Sequence, residues 1–230
     1  MSARWVITCE HGGNSIPGAF ASLFFDAEAQ HALNSHRGWD PGALALFDRL
    51  EPLADFSNAA TVSRLLVELN RSLFHHNLFS KFTKGLSDQD RTLVLEKYYT
   101  PYRQKVQAAI KQLIEEGHVV YHLSIHSFTP VLDGVVRNAD IGLLYDPLRR
   151  LENDLCNQWK NIFLRLIPEV RIRFNYPYKG TDDGFTTHLR KQFPDNYAGI
   201  EFELNQEWAN DDQAYSIIYR SVKELKQLNA

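Results

Sequence analysis

Apolar and β-branched residues gather in six short runs, at about 4–9, 60–69, 118–125, 139–145, 169–174 and 198–204. Several are almost continuous in hydrophobicity, as strands covered on both faces require. Between them the apolar positions fall at helical spacing. In 101–116, Val106, Ile110 and Leu113 share a face, Thr100 can cap, Pro101 suits the first helical position and Gly117 ends the element. Further helices are predicted over 149–166, with Leu151, Leu155, Trp159, Phe163 and Leu166 on one stripe, and over 41–51, with Asp40 as cap. A last one, over 211–228, turns Ile218, Val222, Leu225 and Leu228 inward. Strands alternating with helices predict an α/β fold, a three-layer sandwich around a mixed, mostly parallel sheet, in a single domain over 1–230.

In such folds chemistry collects beyond the carboxyl ends of the strands. Three motifs fall there: Glu10-His11-Gly12-Gly13-Asn14, Ser124-Ile125-His126-Ser127-Phe128 and Glu201-Phe202-Glu203-Leu204-Asn205. Two histidines and a carboxylate delivered by strand ends suit a metal held on a rigid sheet, which points to a metal-dependent hydrolase.

Composition narrows the class. With 230 residues and 44% hydrophobic content the chain can bury a large core. A formal charge of −3 gives no field for nucleic acid or an anionic membrane. No apolar stretch is long enough to span a bilayer, and Met1 to Arg4 lead into Trp5-Val6-Ile7 without a secretory pattern, so a cytoplasmic location is expected. Cys9 and Cys156 are too few for a disulfide framework. The oligomeric state is not legible.

Each candidate residue has an ordinary reading beside the functional one. His11, among glycines, is a turn residue or a ligand. His126 ends a buried strand, whereas His122 reads as a satisfied core histidine. Glu201 and Glu203 share one strand face, either the wet side of an edge strand or the place of a general base. Residues 63–71 read as a further strand, whose Arg64 and Arg71 could hold a carboxylate; the alternative is an Arg71–Glu68 surface pair. Cys9 reads as a core residue before a nucleophile, and His75-His76 as solvated. The stretch 179–185 suits a mobile lid or an ordinary surface loop.

Six segments in order resemble the N-formylglutamate amidohydrolase family: Cys9 to Asn14, Gly38-Trp39-Asp40-Pro41-Gly42-Ala43, Ser63-Arg64 through Asn70-Arg71, Ile125 to Pro130, Asn175 to Gly180 and Ile200 to Glu203. The likeness runs from residue 6 to about 207. Three blocks also resemble the zinc carboxypeptidases, so a phosphorylase/hydrolase-like, zinc-carboxypeptidase-like fold is implied. By that resemblance His11 and His126 are zinc ligands, Asn70 and Arg71 bind a substrate carboxylate, and Glu203 is the base. The carboxypeptidases carry a carboxylate ligand three residues after the first histidine, where this chain has Asn14.

The third ligand is therefore open. Asp40 matches the family pattern but is equally a helix cap; Glu10, His36 and His188 follow. The resemblance implies one Zn2+ per chain, with water activated on its free position, and Arg64 helping to stabilise the oxyanion. Asn14 and Arg137 are further candidates for substrate contact. The expected substrate is a small acidic amide such as N-formylglutamate. A metal-dependent carboxypeptidase or amidase acting on a short peptide and a noncatalytic binder of an acidic metabolite are the alternatives.

Overall fold

The computed structural model of the protein describes residues 2–230. Its centre is a six-stranded sheet of β1 (Ala3–Cys9), β2 (Phe56–Ala59), β3 (Val119–Phe128), β6 (Ile141–Leu144), β7 (Ile172–Phe174) and β8 (Tyr197–Asn205), in the order β2-β1-β3-β8-β6-β7. The first four in that order run parallel, and β6 pairs antiparallel with β8 and parallel with β7. A small hairpin, β4 (Val131–Leu132) and β5 (Val135–Val136), stands apart. The helices are α1 (Ala27–Leu33), α2 (Ala43–Leu50), α3 (Asp88–Val94), α4 (Thr100–Glu115), α5 (Arg150–Leu166), α6 (Phe185–Gln192) and α7 (Asp212–Leu228). No helix is long and apolar enough to cross a membrane among the described residues.

Strand alternation gives the sheet two different faces. One face is apolar: Trp5, Ile7, Cys9, Leu123, Ile125, Ile200 and Phe202 pack with α2, α5 and α7 through residues such as Leu46, Trp159, Phe163, Ile218 and Val222. The opposite face mixes Val6, Val120 and Tyr197 with Thr8, His122, Ser124, His126, Glu201 and Glu203, all buried. The helices covering it, α4 and α6, supply Val106, Ile110, Phe185 and Leu189. Polar groups on this face therefore need internal partners. His122 has them: Thr8 Oγ1 lies 2.8 Å from Nε2 and the Tyr197 hydroxyl 2.8 Å from Nδ1.

Several expectations are corrected. The run 60–69 is not a strand. The edge strand β2 ends at Ala59, Val62 adds only an isolated parallel bridge to Ser15, and from Arg64 the chain runs through turns whose apolar side chains Leu66, Val67 and Leu69 are buried while the backbone bonds stay local or reach neighbouring loops. A short apolar run fits a buried loop as well as a strand, which periodicity cannot resolve. Asp40 is not a cap: α2 starts after Gly42, whose φ of +83° favours glycine, and the Asp40 carboxylate points elsewhere. Nor is Thr100 a cap, because a π-helical turn, Leu95–Tyr99, continues straight into α4. Leu228, expected inward, is 62% exposed as the last residue of α7. The short helices α1, α3 and α6 have no counterpart among the predicted elements.

Candidate metal centre

Three parallel strands bring the polar motifs together. The loop after β1 can turn sharply because Gly13 lies against the passing chain: a Cβ there would sit 2.5 Å from the Thr61 carbonyl oxygen. His11 is thereby fixed beside β3. In the β3–β8 register His126 faces Glu203 and Ser124 faces Glu201, so β8 is a central strand and its acidic face is buried, not wet.

His11, Asp40 and His126 converge. Each offers one donor atom, all within 4.8 Å of one another, and all three residues are buried. His11 Nδ1 lies 3.3 Å and His126 Nδ1 3.0 Å from the same oxygen, Asp40 Oδ2. Donors about 3.3 Å apart are what bonds of about 2.0 Å to one tetrahedral ion demand. The outer nitrogens are held from behind. His11 Nε2 meets the Glu68 carboxylate, and His126 Nε2 lies 3.2 Å from Glu10 Oε2 and 2.9 Å from Ser124 Oγ. Glu10 in turn accepts from Ser124 at 2.5 Å and from the Tyr102 hydroxyl at 2.8 Å. A carboxylate behind each ring fixes tautomer and orientation, as metal-ligating histidines usually require.

The charges agree with this donor set. Burial works to raise the Asp40 carboxyl, but His11, His126 and Arg64 outweigh it and hold it well below the ordinary range. Glu10 and Glu68 are likewise kept ionised against burial, Glu10 by His126 and Glu68 by Arg64 and His11. Burial and Arg64 push the His11 imidazole down, yet Glu68 and Asp40 leave it net raised; His126 is raised further by Asp40 and Glu10. A divalent cation bound here would displace the protons that Asp40, Glu68 and Glu10 draw onto the two rings and would take their place beside the three buried carboxylates. The residues fit such an ion.

Glu203 differs from these carboxyls. Burial raises it to about 7, and its Oε2 is a buried oxygen without a hydrogen-bond partner among the described residues. It borders a cavity of about 420 Å³ lined by the triad, Arg64, Asn70, Arg71, Glu201, Leu132, Arg137 and Tyr178. Arg64 binds Glu68 through Nε at 2.7 Å and Asp40 through Nη1 at 3.3 Å, so its first task here is to brace two carboxylates. Asn70 Oδ1 accepts from the Phe185 N–H at 2.7 Å, which leaves its amide donors for a ligand. Arg71 does not pair with Glu68; it donates to the Asp183 main-chain oxygen. Arg137 stands at the rim, 3.2 Å from the Tyr178 hydroxyl and 5.2 Å from its ring.

Other candidates fall away from the centre. Asn14 does not line the cavity; it donates to the Leu33 carbonyl at 3.0 Å and ties its loop to the end of α1. Glu10 braces His126 from the side away from Asp40. His36 lines the cavity outside the triad, and His188 lies against Phe185 and Gln107. Burial pushes the Cys9 thiol well up, as for a core residue. The stretch after Tyr178 is pinned: Gly180 packs on the backbone of Leu144 and Tyr145, and Asp183 accepts from the Ser72 N–H at 3.0 Å. Sequence reasoning missed Glu68 as a site residue, because its burial and its distance from His11 along the chain gave no local signal.

Among solved structures, a gene product of Agrobacterium tumefaciens superposes with a TM-score of 0.80 at 24% identity, covering 98% of this chain and 90% of its own. N-formylglutamate amidohydrolase from Ralstonia eutropha JMP134 superposes at 0.71 and 17% identity, covering 98% and 92%. Both share the fold. A metallo-carboxypeptidase from Burkholderia cenocepacia reaches only 0.42 at 10% identity, covering 100% of this chain and 58% of its own, too loose to carry an argument. No curated protein sequence matches significantly. The model of one family, described as N-formylglutamate amidohydrolase, matches residues 3–208. A match that takes in all three strand-end motifs and the segments between them places this hydrolase in the N-formylglutamate amidohydrolase family.

Proposed function

We propose that the protein is a metal-dependent amidohydrolase that removes a small acyl group from an acidic amino acid, with N-formylglutamate as the leading substrate and formate and glutamate as products. The observation that carries this reading is the paired arrangement of His11 and His126, both Nδ1 atoms aimed at one Asp40 oxygen and both Nε2 atoms braced by a buried carboxylate. His11, Asp40 and His126 would hold a divalent ion, which would supply Lewis acidity and a nucleophilic water near neutral pH. Zinc suits two imidazoles and a carboxylate.

The remaining work belongs to the chain. Glu203, raised to about 7, is matched to accept a proton from the attacking water and return it to the departing nitrogen. Asn70 and Arg71 grip a substrate carboxylate and Arg137, at the rim, receives a second. Arg64 keeps Asp40 and Glu68 ionised and adds positive charge where the oxyanion develops.

The test is metal content by elemental mass spectrometry for wild type and His126→Ala, followed by formate release from N-formylglutamate. About one zinc per chain in the wild type, lost in the variant, together with formate release, is the expected result. A wild type that takes up no zinc overturns the reading. Zinc uptake without formate release would leave the metal site and reject this substrate.

A further inference from the structure

Helix α4 and the π-helical turn leading into it present Tyr99, Tyr102, Arg103, Val106 and Ile110 to the interior, a polar cluster at the head of an apolar face. None of the three polar side chains lines the cavity. Each is nevertheless one step behind it. The Tyr99 hydroxyl donates to the Arg71 carbonyl at 2.7 Å. Arg103 Nη1 donates to the Leu69 carbonyl at 2.9 Å and the Arg71 carbonyl at 3.3 Å. Its guanidinium lies between two rings, 4.3 Å from the Phe185 centroid and 5.1 Å from that of Tyr99. Phe185 is also the residue whose N–H fixes Asn70. One turn along, Tyr102 donates to Glu10, the carboxylate behind His126.

From this arrangement we infer that α4 sets the two halves of the site through separate positioning residues: Tyr99 and Arg103 aim the Asn70–Arg71 carboxylate grip, and Tyr102, through Glu10, aims the metal ligand His126. The physical basis is that 60–71 is a loop. Past the single bridge of Val62 to Ser15 it has no ladder bonds, so the Leu69 and Arg71 carbonyls need donors from elsewhere, and Arg103, stacked and buried, forks both at once. The Glu10 carboxylate meets the same requirement with Ser124 and Tyr102. Because the two clusters share a helix but no hydrogen bond, their effects should separate. This inference rests on the function proposed above.

The experiment compares Tyr99→Phe, Tyr102→Phe and Arg103→Lys with wild type. Zinc affinity is read by chelator competition, and kcat and KM are measured at saturating zinc with N-formylglutamate and its two monocarboxamide counterparts. Tyr99→Phe is expected to raise KM for N-formylglutamate roughly three- to tenfold, with kcat and zinc affinity unchanged. One monocarboxamide, having lost the gripped carboxylate, should show no such rise. Arg103→Lys should follow the same pattern, so a folding failure in one variant leaves the other to decide. Tyr102→Phe is expected to weaken zinc binding roughly tenfold and leave KM unchanged at saturating zinc. If all variants move both readouts together, or neither readout moves, the division of labour is wrong. A wild type that binds no zinc removes the proposed function and this inference with it, whereas an active wild type with unsplit variants overturns this inference alone.

Discussion

Glu203 and Glu10 are chemically alike and both buried in the same polar layer, yet one is raised and the other lowered. The difference lies in partners: Glu10 faces His126, Ser124 and Tyr102, while one Glu203 oxygen has none. Glu203→Gln should therefore cut kcat by about 10² to 10⁴ while zinc content stays at the wild-type level, measured on the same preparation. A histidine in the same layer makes a prediction about stability. Burial lowers His122 from 6.5 to about 4, so the folded state holds it neutral between its two hydroxyl partners. Well above pH 6.5 folding costs nothing at this residue; as pH falls through 6.5 toward 4 the unfolded chain binds a proton that the folded chain refuses, and stability is lost. His122→Gln should lose about 1.5 kcal/mol less than wild type between about pH 6.5 and pH 5, read from urea unfolding at the two pH values.

At the scale of elements, the site depends on segments that are neither helix nor strand. The turns of 63–71 carry Arg64, Glu68, Asn70 and Arg71, and the stretch 175–184 holds their far end through Asp183, which accepts from Arg71 and the Ser72 N–H. That stretch is seated by Gly180, where an added Cβ would fall 2.1 Å from the Tyr145 nitrogen and 2.6 Å from the Leu144 carbonyl carbon. Gly180→Ala should destabilise the protein by roughly 1–3 kcal/mol and raise KM as the Asp183 contact to Arg71 shifts, checked by denaturant unfolding and steady-state kinetics. The stretch 179–185, which suited either a mobile lid or an ordinary surface loop, is held as a strap. Its glycine and charged residues look the same in sequence whether the loop is free or, as here, packed on β6 and bonded to Asn175 and Arg190.

For the whole molecule, the sheet separates tasks by face. Aromatic and aliphatic packing around Trp159, Phe163 and Phe202 lies on one side, and the ionisable cluster lies on the other. The buried carboxylates raise both imidazoles, so an ion binds by displacing their protons, and an ion that binds only the folded state stabilises it by mass action. Zinc at about a thousand times its Kd should raise stability by about 4 kcal/mol, seen as a higher Tm than in chelator. His126→Ala should show no such rise, and an equal rise in both proteins would place the ion elsewhere.

Five of the six apolar runs and the helical spacing of 101–116, 149–166 and 211–228 were enough to predict an α/β fold, because periodicity and strand alternation are local properties. His11, His126 and Glu203 were legible for the same reason: each stands in or just beyond an apolar run. What only tertiary structure decided was partnership. Asp40 could be a cap or a ligand until the chain brought it to His11 and His126, and Glu68 could pair with Arg71 or lie buried against Arg64 and His11. Charge, burial and hydrogen bonding between residues 29 to 114 positions apart depend on how the strands are ordered in the sheet, and no local pattern encodes that order.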